Sequence, residues 1–194
     1  VTTGIQNTLI GGLAGDALTD ADFNVAVGVN ALSTDTLGSR SVAIGASALE
    51  AQNFTSATAV YNTAVGFQAG AAITTGTNNT LIGGLAGDAI TTASNNIAVG
   101  ASALSATTTG AGNVSLGQAS MVTNTTGSYN IAIGPSALEA NTTASDNVAI
   151  GRVAMVANTT GTANVAVGAL ALDANTTASN NTAVGYNTLT ANTT

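Results

Sequence analysis

The sequence predicts a mainly β fold, a parallel β-solenoid or β-roll of about eleven 17-residue coils, each with one short strand and one helical turn. The first observation is the motif Asn-x-Ala-Val/Ile-Gly, which recurs every 17 residues. The second is a composition of 45% apolar, 6% charged and 3% aromatic residues, which suits thin coils better than a globular core. Because so short a unit cannot bury its own apolar face, neighbouring units must stack.

The chain reads as a single repeat array over residues 1–194, with units starting near 7, 24, 41, 62, 79, 96, 113, 130, 147, 164 and 181. The step is 17 residues except from Ser41 to Asn62, where it is 21, so a four-residue insertion lies within 51–61. We count the repeat Asn as position 0. Stacking predicts a structural ladder of these side chains: Asn7, Asn24, Asn62, Asn79, Asn96, Asn113, Asn130, Asn147, Asn164 and Asn181.

Positions 0 to +4 are expected to form the strand. Position +3 is always a large aliphatic residue, and position +1 is Val, Ile or Thr. These two positions share one strand face, which we expect to line the coil interior. Position +2 is nearly always Ala, as in Ala132 and Ala149. A strand that is apolar on both faces is covered on both, so we expect a second or third copy of the chain to pack on the Ala column.

Positions +4 to +11 are predicted to form one or two helical turns, most clearly in the Pro-Ser-Ala-Leu-Glu-Ala run within 134–141. Position +8 is usually Leu or Met, with a polar residue at +11. Where +8 is Gly, at Gly15, Gly70 and Gly87, position +11 is Leu or Ile. Sites three apart share a face in a helix but not in a strand, so this exchange favours a helical turn.

Positions +12 to +16 form a polar return rich in Thr, Ser and Gly, which favour turns. Five Asn-Thr-Thr sequons are either simple turns or stacked N-glycan acceptors, at Asn124, Asn141, Asn158, Asn175 and Asn192. The Thr columns at +12 and +13 suggest ice binding, but adjacent side chains of an extended chain diverge, which argues against it.

The insertion brings Phe54 and Tyr61 near Phe67 along the sequence. Insertions in solenoids usually map to surface loops. We therefore expect either a tolerated loop or a local recognition site formed by these three aromatic residues.

No feature of the sequence points to an enzyme. The chain has no His and no Cys, so a Ser-His-Asp triad, a Cys nucleophile and the usual zinc ligands are all missing. Asp16, Asp20 and Asp22 cluster, but their spacing matches no calcium loop and is typical of a solvated turn. The glycine-rich run at 11–15 lacks the Lys of a phosphate loop. We expect no catalytic, cofactor or metal site.

The charge balance restricts the classes of binding partner that we expect. Two basic against nine acidic residues, a net charge of −7, argues against nucleic acid and anionic membrane surfaces. The chain contains no run of about 18 apolar residues, so we expect no membrane insertion of this segment. Val1 and Thr194 fall at nearly the same point of the repeat, positions +11 and +13. This predicts either a window of a longer array or coil ends that stack on other copies.

Ser41-Val42-Ala43-Ile44-Gly45 resembles the Ser-Val-Ala-Ile-Gly motif of YadA-like trimeric autotransporter adhesin heads. The array is also similar to the repeats of bacteriophage tail fibres, with Asn-Thr-Ala-Val-Gly at Asn62 and Asn181. The adhesin resemblance implies a left-handed parallel β-roll, a homotrimer around one axis, and binding to host surfaces. The 17-residue period differs from the shorter repeat of that family.

These observations predict a structural fibre segment, a rigid shaft or spacer that supports attachment in a surface adhesin or viral tail fibre. Its expected location is extracellular, on a cell surface or virion. Two alternatives stay open. One is a self-assembling extracellular filament joined end to end, and the other is a repeat module that binds a cell-surface glycan or receptor.

Overall fold

A computed structural model describes residues 1–192 as a parallel β-solenoid of about ten turns. Eleven three-residue strands stack into one sheet, in the order β1-β2-β4-β6-β7-β8-β9-β10-β11-β12-β13. Their bounds are β1 Thr8–Ile10, β2 Val25–Val27, β4 Val42–Ile44, β6 Thr63–Val65, β7 Thr80–Ile82, β8 Ile97–Val99, β9 Val114–Leu116, β10 Ile131–Ile133, β11 Val148–Ile150, β12 Val165–Val167 and β13 Thr182–Val184. Two more strands, β3 Gly38–Ser39 and β5 Thr58–Ala59, pair parallel to each other beside the insertion.

Equivalent repeat positions pair directly across the sheet. Ile131 lies opposite Val148, and the longer unit keeps the same register, with Val42 opposite Thr63. Each strand of the eleven-stranded sheet is followed directly by a Gly, because the next coil's backbone passes close by. A Cβ on Gly134, whose φ is +129°, would lie 2.7 Å from the carbonyl carbon of Gly151. The 17-residue motif therefore sets both the register and the end of each strand.

The predicted helical turn is wrong, since residues 1–192 contain no helix. Positions +4 to +11 form two successive β-turns instead. The N–H of Ala137 donates to the carbonyl oxygen of Gly134 (3.2 Å), and that of Asn141 donates to Leu138 (3.1 Å). Ser136 and Leu138 have φ of +55° and +51°, which interrupts any α-helical run. No helix of the described chain could therefore cross a membrane.

The two strand faces are the reverse of the sequence expectation. Ala at +2 points into the coil and is fully buried, as at Ala132 and Ala149, whereas the larger residues at +1 and +3 point outward. The interior is narrow, and the Leu or Met at +8 reaches into it from the turn wall. Because Leu138 fills that space, the facing strand wall has room only for a methyl group.

In two coils the large and small residues are exchanged between the turn wall and the strand wall. Where +8 is Gly87, position +2 is Leu81, and a Cβ on Gly87 would lie 2.9 Å from Leu81 Cδ2. Gly15 and Leu9 repeat the arrangement, at 2.7 Å. In these two coils the strand wall supplies the apolar volume that Leu or Met at +8 supplies elsewhere, whereas the coil of Gly70 keeps Ala64 at +2 and has Ile73 at +11.

Candidate functional site

The largest unusual surface is the outward side of the eleven-stranded sheet. We call it the aliphatic face, defined by positions +1 and +3 of β1, β2, β4 and β6–β13. Every one of these positions carries Val, Ile, Leu or Thr, and none carries a charge. These side chains are half-buried or exposed, with Ile82 at 40% and Val184 at 67%. β-Branched side chains on a pleated sheet form an evenly spaced apolar surface. This surface is uncovered in the single chain.

The asparagine ladder at position 0 runs along the buried corner beside this face. The N–H of Asn147 donates to Oδ1 of Asn130 (3.0 Å), and Nδ2 of Asn130 donates to the carbonyl oxygen of Ala144 (2.8 Å). The same pair of bonds repeats from Asn7 onward, as between Asn7, Ala21 and Asn24. Each amide therefore satisfies a backbone donor of the next coil and a backbone acceptor of its own coil.

A second ladder lies at position +11, where the sequence predicted glycan acceptors. Asn124, Asn141, Asn158 and Asn175 are fully buried, and Asn192 is half-buried. Nδ2 of Asn141 donates to Oδ1 of Asn124 (2.9 Å) and to the carbonyl oxygen of Ala144 (3.1 Å). A glycan on this nitrogen would break both bonds and has no space inside the coil. Burial therefore favours the turn interpretation over glycan acceptors at the four fully buried positions, whose side chains lie in the core.

The position-0 ladder changes at Ser41, and a buried polar cluster takes its place. Nε2 of Gln52 donates to Ser41 Oγ (3.1 Å) and to Asp35 Oδ2 (2.6 Å), while Oε1 of Gln52 accepts from Asn62 Nδ2 (2.9 Å). Asp35 Oδ1 accepts the N–H groups of Gly38 (3.1 Å) and Phe54 (2.9 Å). Sequence reasoning missed this cluster. Its signal was the coincidence of Ser at position 0 with Gln at +11 beside the insertion.

The three aromatic residues of the predicted recognition loop do not come together. Phe54 is buried at 8% exposure and anchors the loop, because its carbonyl oxygen accepts from Thr36 Oγ1 (2.9 Å) and the Leu37 N–H (3.1 Å). Tyr61 precedes β6 and Phe67 follows it, so they lie at opposite ends of that strand. Both are exposed, as are residues 55–57 at the loop tip.

The two threonine columns of the return segment point in different directions. At +12, Thr125 Oγ1 donates to the carbonyl oxygen of Thr142 (3.0 Å), and this bond repeats along the array. At +13, Thr126 and Thr143 are exposed. The hydroxyls of the two columns therefore do not form one flat array.

The acidic residues are dispersed. Asp20 Oδ1 accepts from Thr3 Oγ1 (2.9 Å), and Asp22 Oδ1 accepts from the Ile5 N–H (2.8 Å), so both tie down the first coil. Burial raises the pKa of the Asp88 carboxyl, partly offset by a backbone hydrogen bond, and its Oδ1 has no partner. In residues 1–192 no three His, Cys, Asp or Glu side chains gather as metal ligands, and no surface pocket forms. The candidate functional sites of the described chain are therefore surface regions.

Comparisons with family models, curated proteins and solved structures found no match to this chain.

Proposed function

We propose that this chain is a rigid structural segment of an attachment fibre, in which three copies pack through the aliphatic face around a common axis. The observation that supports this most strongly is the absence of charge from that face along all eleven strands. At about 4.8 Å per strand, ten spacings give a face roughly 48 Å long. Exposed apolar patches of more than a few hundred Å² usually mark interaction surfaces.

A threefold arrangement suits the shape of the face. Each wall is only one three-residue strand wide, with two outward side chains per coil. Three such walls can enclose a continuous core in which equivalent positions of the copies meet at the same level. The resemblance of the repeats to trimeric adhesin heads and tail fibres supports the same copy number. It also supports a place on a cell surface or virion.

Rigidity follows from the hydrogen bonds along the axis. Each coil is tied to the next through the sheet, and most coils also through the position-0 asparagines and the +12 threonines, while the +11 asparagines add bonds from Asn124 onward. Because these bonds run parallel to the fibre axis, bending would lengthen several of them at once. Such a segment suits a shaft or spacer that holds an attachment site away from a surface.

Single cysteines test the proposed interface, since the chain has no Cys of its own. Ile133→Cys places a thiol on the aliphatic face, and Thr126→Cys places a matched thiol on the exposed return segment. We expect maleimide to label the Thr126 variant rapidly and the Ile133 variant slowly. Mild oxidation should cross-link only the Ile133 variant into dimers. Equal labelling of the two folded variants, with no cross-link, would contradict the packing.

A further inference from the structure

Three successive coils near the start of the array carry large side chains at the same outward position. Position −1, directly before the ladder residue, carries Phe23, Arg40 and Tyr61 on three successive coils. All three have positive φ, at 60°, 66° and 56°. Five other coils place Asn, Asp or Gly there, which tolerate this conformation: Asn78, Asn95, Gly112, Asp146 and Asn180. Tyr129 is the other aromatic residue at this position, so the distinctive feature of the three coils is that their large side chains are adjacent.

These three side chains project into solvent. Phe23 is 45% exposed, Tyr61 is 54% exposed, and Arg40 between them is also exposed. The backbone at two of these residues is bonded to the preceding coil. The N–H of Arg40 donates to the carbonyl oxygen of Asp22 (3.0 Å), and the N–H of Phe23 donates to the carbonyl oxygen of Ile5 (3.2 Å). The backbone is therefore fixed while the side chains stay open.

The guanidinium of Arg40 stacks on an aromatic ring and has no anionic partner. Its Cζ lies 5.2 Å from the centroid of the Phe23 ring. Among residues 1–192 it forms no ion pair, although the chain carries nine acidic residues. The carboxylates nearest in the repeat pattern, Asp20 and Asp22, bond to Thr3 and Ile5 of the first coil. A stacked guanidinium that keeps its donors free is suited to bind a carboxylate through two parallel hydrogen bonds.

We propose that the Phe23–Arg40–Tyr61 column binds a carboxylate-bearing saccharide. The guanidinium recognises the sugar carboxylate, and the exposed rings on either side pack against the apolar C–H faces of neighbouring pyranose rings. Successive coils are about 4.8 Å apart, close to the length of one sugar residue. This adds a recognition site to the fibre segment and does not depend on the number of copies in the fibre.

The chain offers two matched controls. Arg152 is the other basic residue and is exposed at position +5, away from the column. Tyr129 occupies position −1 on a distant coil and is 68% exposed. Its ring covers Gly112, where an added Cβ would lie 2.8 Å from Tyr129 Cδ1. Arg152→Gln therefore removes a positive charge, and Tyr129→Ala removes an aromatic ring at position −1. Neither residue belongs to the proposed Phe23–Arg40–Tyr61 site.

The test uses saturation-transfer NMR and calorimetry with two acid–neutral pairs: sialyllactose with lactose, and oligogalacturonate with its methyl ester. We expect at least one acid to bind, weakened by salt, and its neutral counterpart not to bind. Arg40→Gln should weaken binding about tenfold, and Phe23→Ala should weaken it several-fold. Arg152→Gln and Tyr129→Ala should bind like the parent. The acid that binds distinguishes a sialylated surface from a uronate polymer.

Three results would overturn the proposal. They are equal binding of acid and neutral sugars, equal effects of Arg40→Gln and Arg152→Gln, or no saturation transfer from either acid. The mass of every variant is measured in parallel. A change of mass in Arg40→Gln would assign the column to a contact between copies and also overturn sugar binding, whereas a monomeric parent that still binds acid would contradict only the threefold fibre.

Discussion

Asparagine side chains close one corner of most coils, and from Asn124 onward a second corner, by bonding to backbone groups. At position 0, Asn130 accepts from the N–H of the next coil and donates to a carbonyl of its own. At position +11, Asn141 joins the Asn124 amide to the Ala144 carbonyl. A buried backbone group without a partner costs more than a hydrogen bond gains. The ladders therefore explain why small coils with mostly Ala in the core can still exclude water.

Asn130→Ala tests the position-0 ladder. It removes the acceptor of the Asn147 N–H and a donor to the Ala144 carbonyl, both buried. We expect the free energy of unfolding to fall by about 3 kcal/mol. Hydrogen exchange of the Asn147 amide should quicken more than that of distant coils. Thr143→Ala, at an exposed site, is the control and should change little. Unchanged protection of the Asn147 amide would be inconsistent with the ladder.

Asp88 gives a pH prediction with a defined sign. Desolvation raises its pKa above the ordinary 3.8, so the folded state binds the proton more tightly than the unfolded state. The stability from this group is present below pH 3.8 and is lost as the pH rises through the raised value. We expect Asp88→Asn to raise the melting temperature at neutral pH, with the gain shrinking at acidic pH. A constant gain at all pH values would argue against a titrating Asp88.

The sequence predicted the position-0 ladder but not the one at +11. Asn side chains that recur every 17 residues in a stacked fold lie above one another, and hydrogen bonding along the stack is their main possible role. The first ladder therefore followed from the period. The second was hidden because Asn-Thr-Thr also matches a glycan sequon, as at Asn141. Burial decides between the two interpretations, and burial depends on where the turns place position +11.

At the scale of the strand and its turns, two physical ambiguities each produced one wrong expectation. Residues three apart converge in a helix, but they also converge as the first and last residues of a β-turn. The exchange of apolar residues between +8 and +11 therefore fits both. The sequence likewise did not decide which strand face points into the coil, since both faces are apolar. The pairing of Leu9 with Gly15 and of Leu81 with Gly87, in two of the three coils with Gly at +8, was the available signal that +2 points inward.

An exchange between walls tests this packing. In Gly87→Leu alone, the new Cβ would approach Leu81 Cδ2 (2.9 Å) and Ile90 Cδ1 (2.8 Å), so we expect a loss of about 1–3 kcal/mol. Leu81→Ala, Gly87→Leu and Ile90→Thr together copy the next coil, which has Ala98, Leu104 and Thr107. The triple variant should regain most of the loss in chemical denaturation. A triple variant no more stable than the single one would refute the shared-volume account.

For the whole molecule, the repeat produces a stack whose apolar content is divided between two places. The small residues and one Leu or Met per coil fill the interior, while most of the Val and Ile lie on the aliphatic face. The larger apolar side chains are thus left for a partner. The insertion interrupts neither the sheet register nor that face, because the Asp35–Gln52 cluster satisfies the polar groups of the longer coil.

The mass of the folded protein in solution tests this account most directly. Sedimentation equilibrium over a wide dilution range should give three times the chain mass of 18.5 kDa, with no dissociation at low concentration. Such persistence is expected when a long apolar face forms a common core. A folded, soluble species of 18.5 kDa at all concentrations would show that the aliphatic face is not an interface between copies and would contradict the fibre assembly.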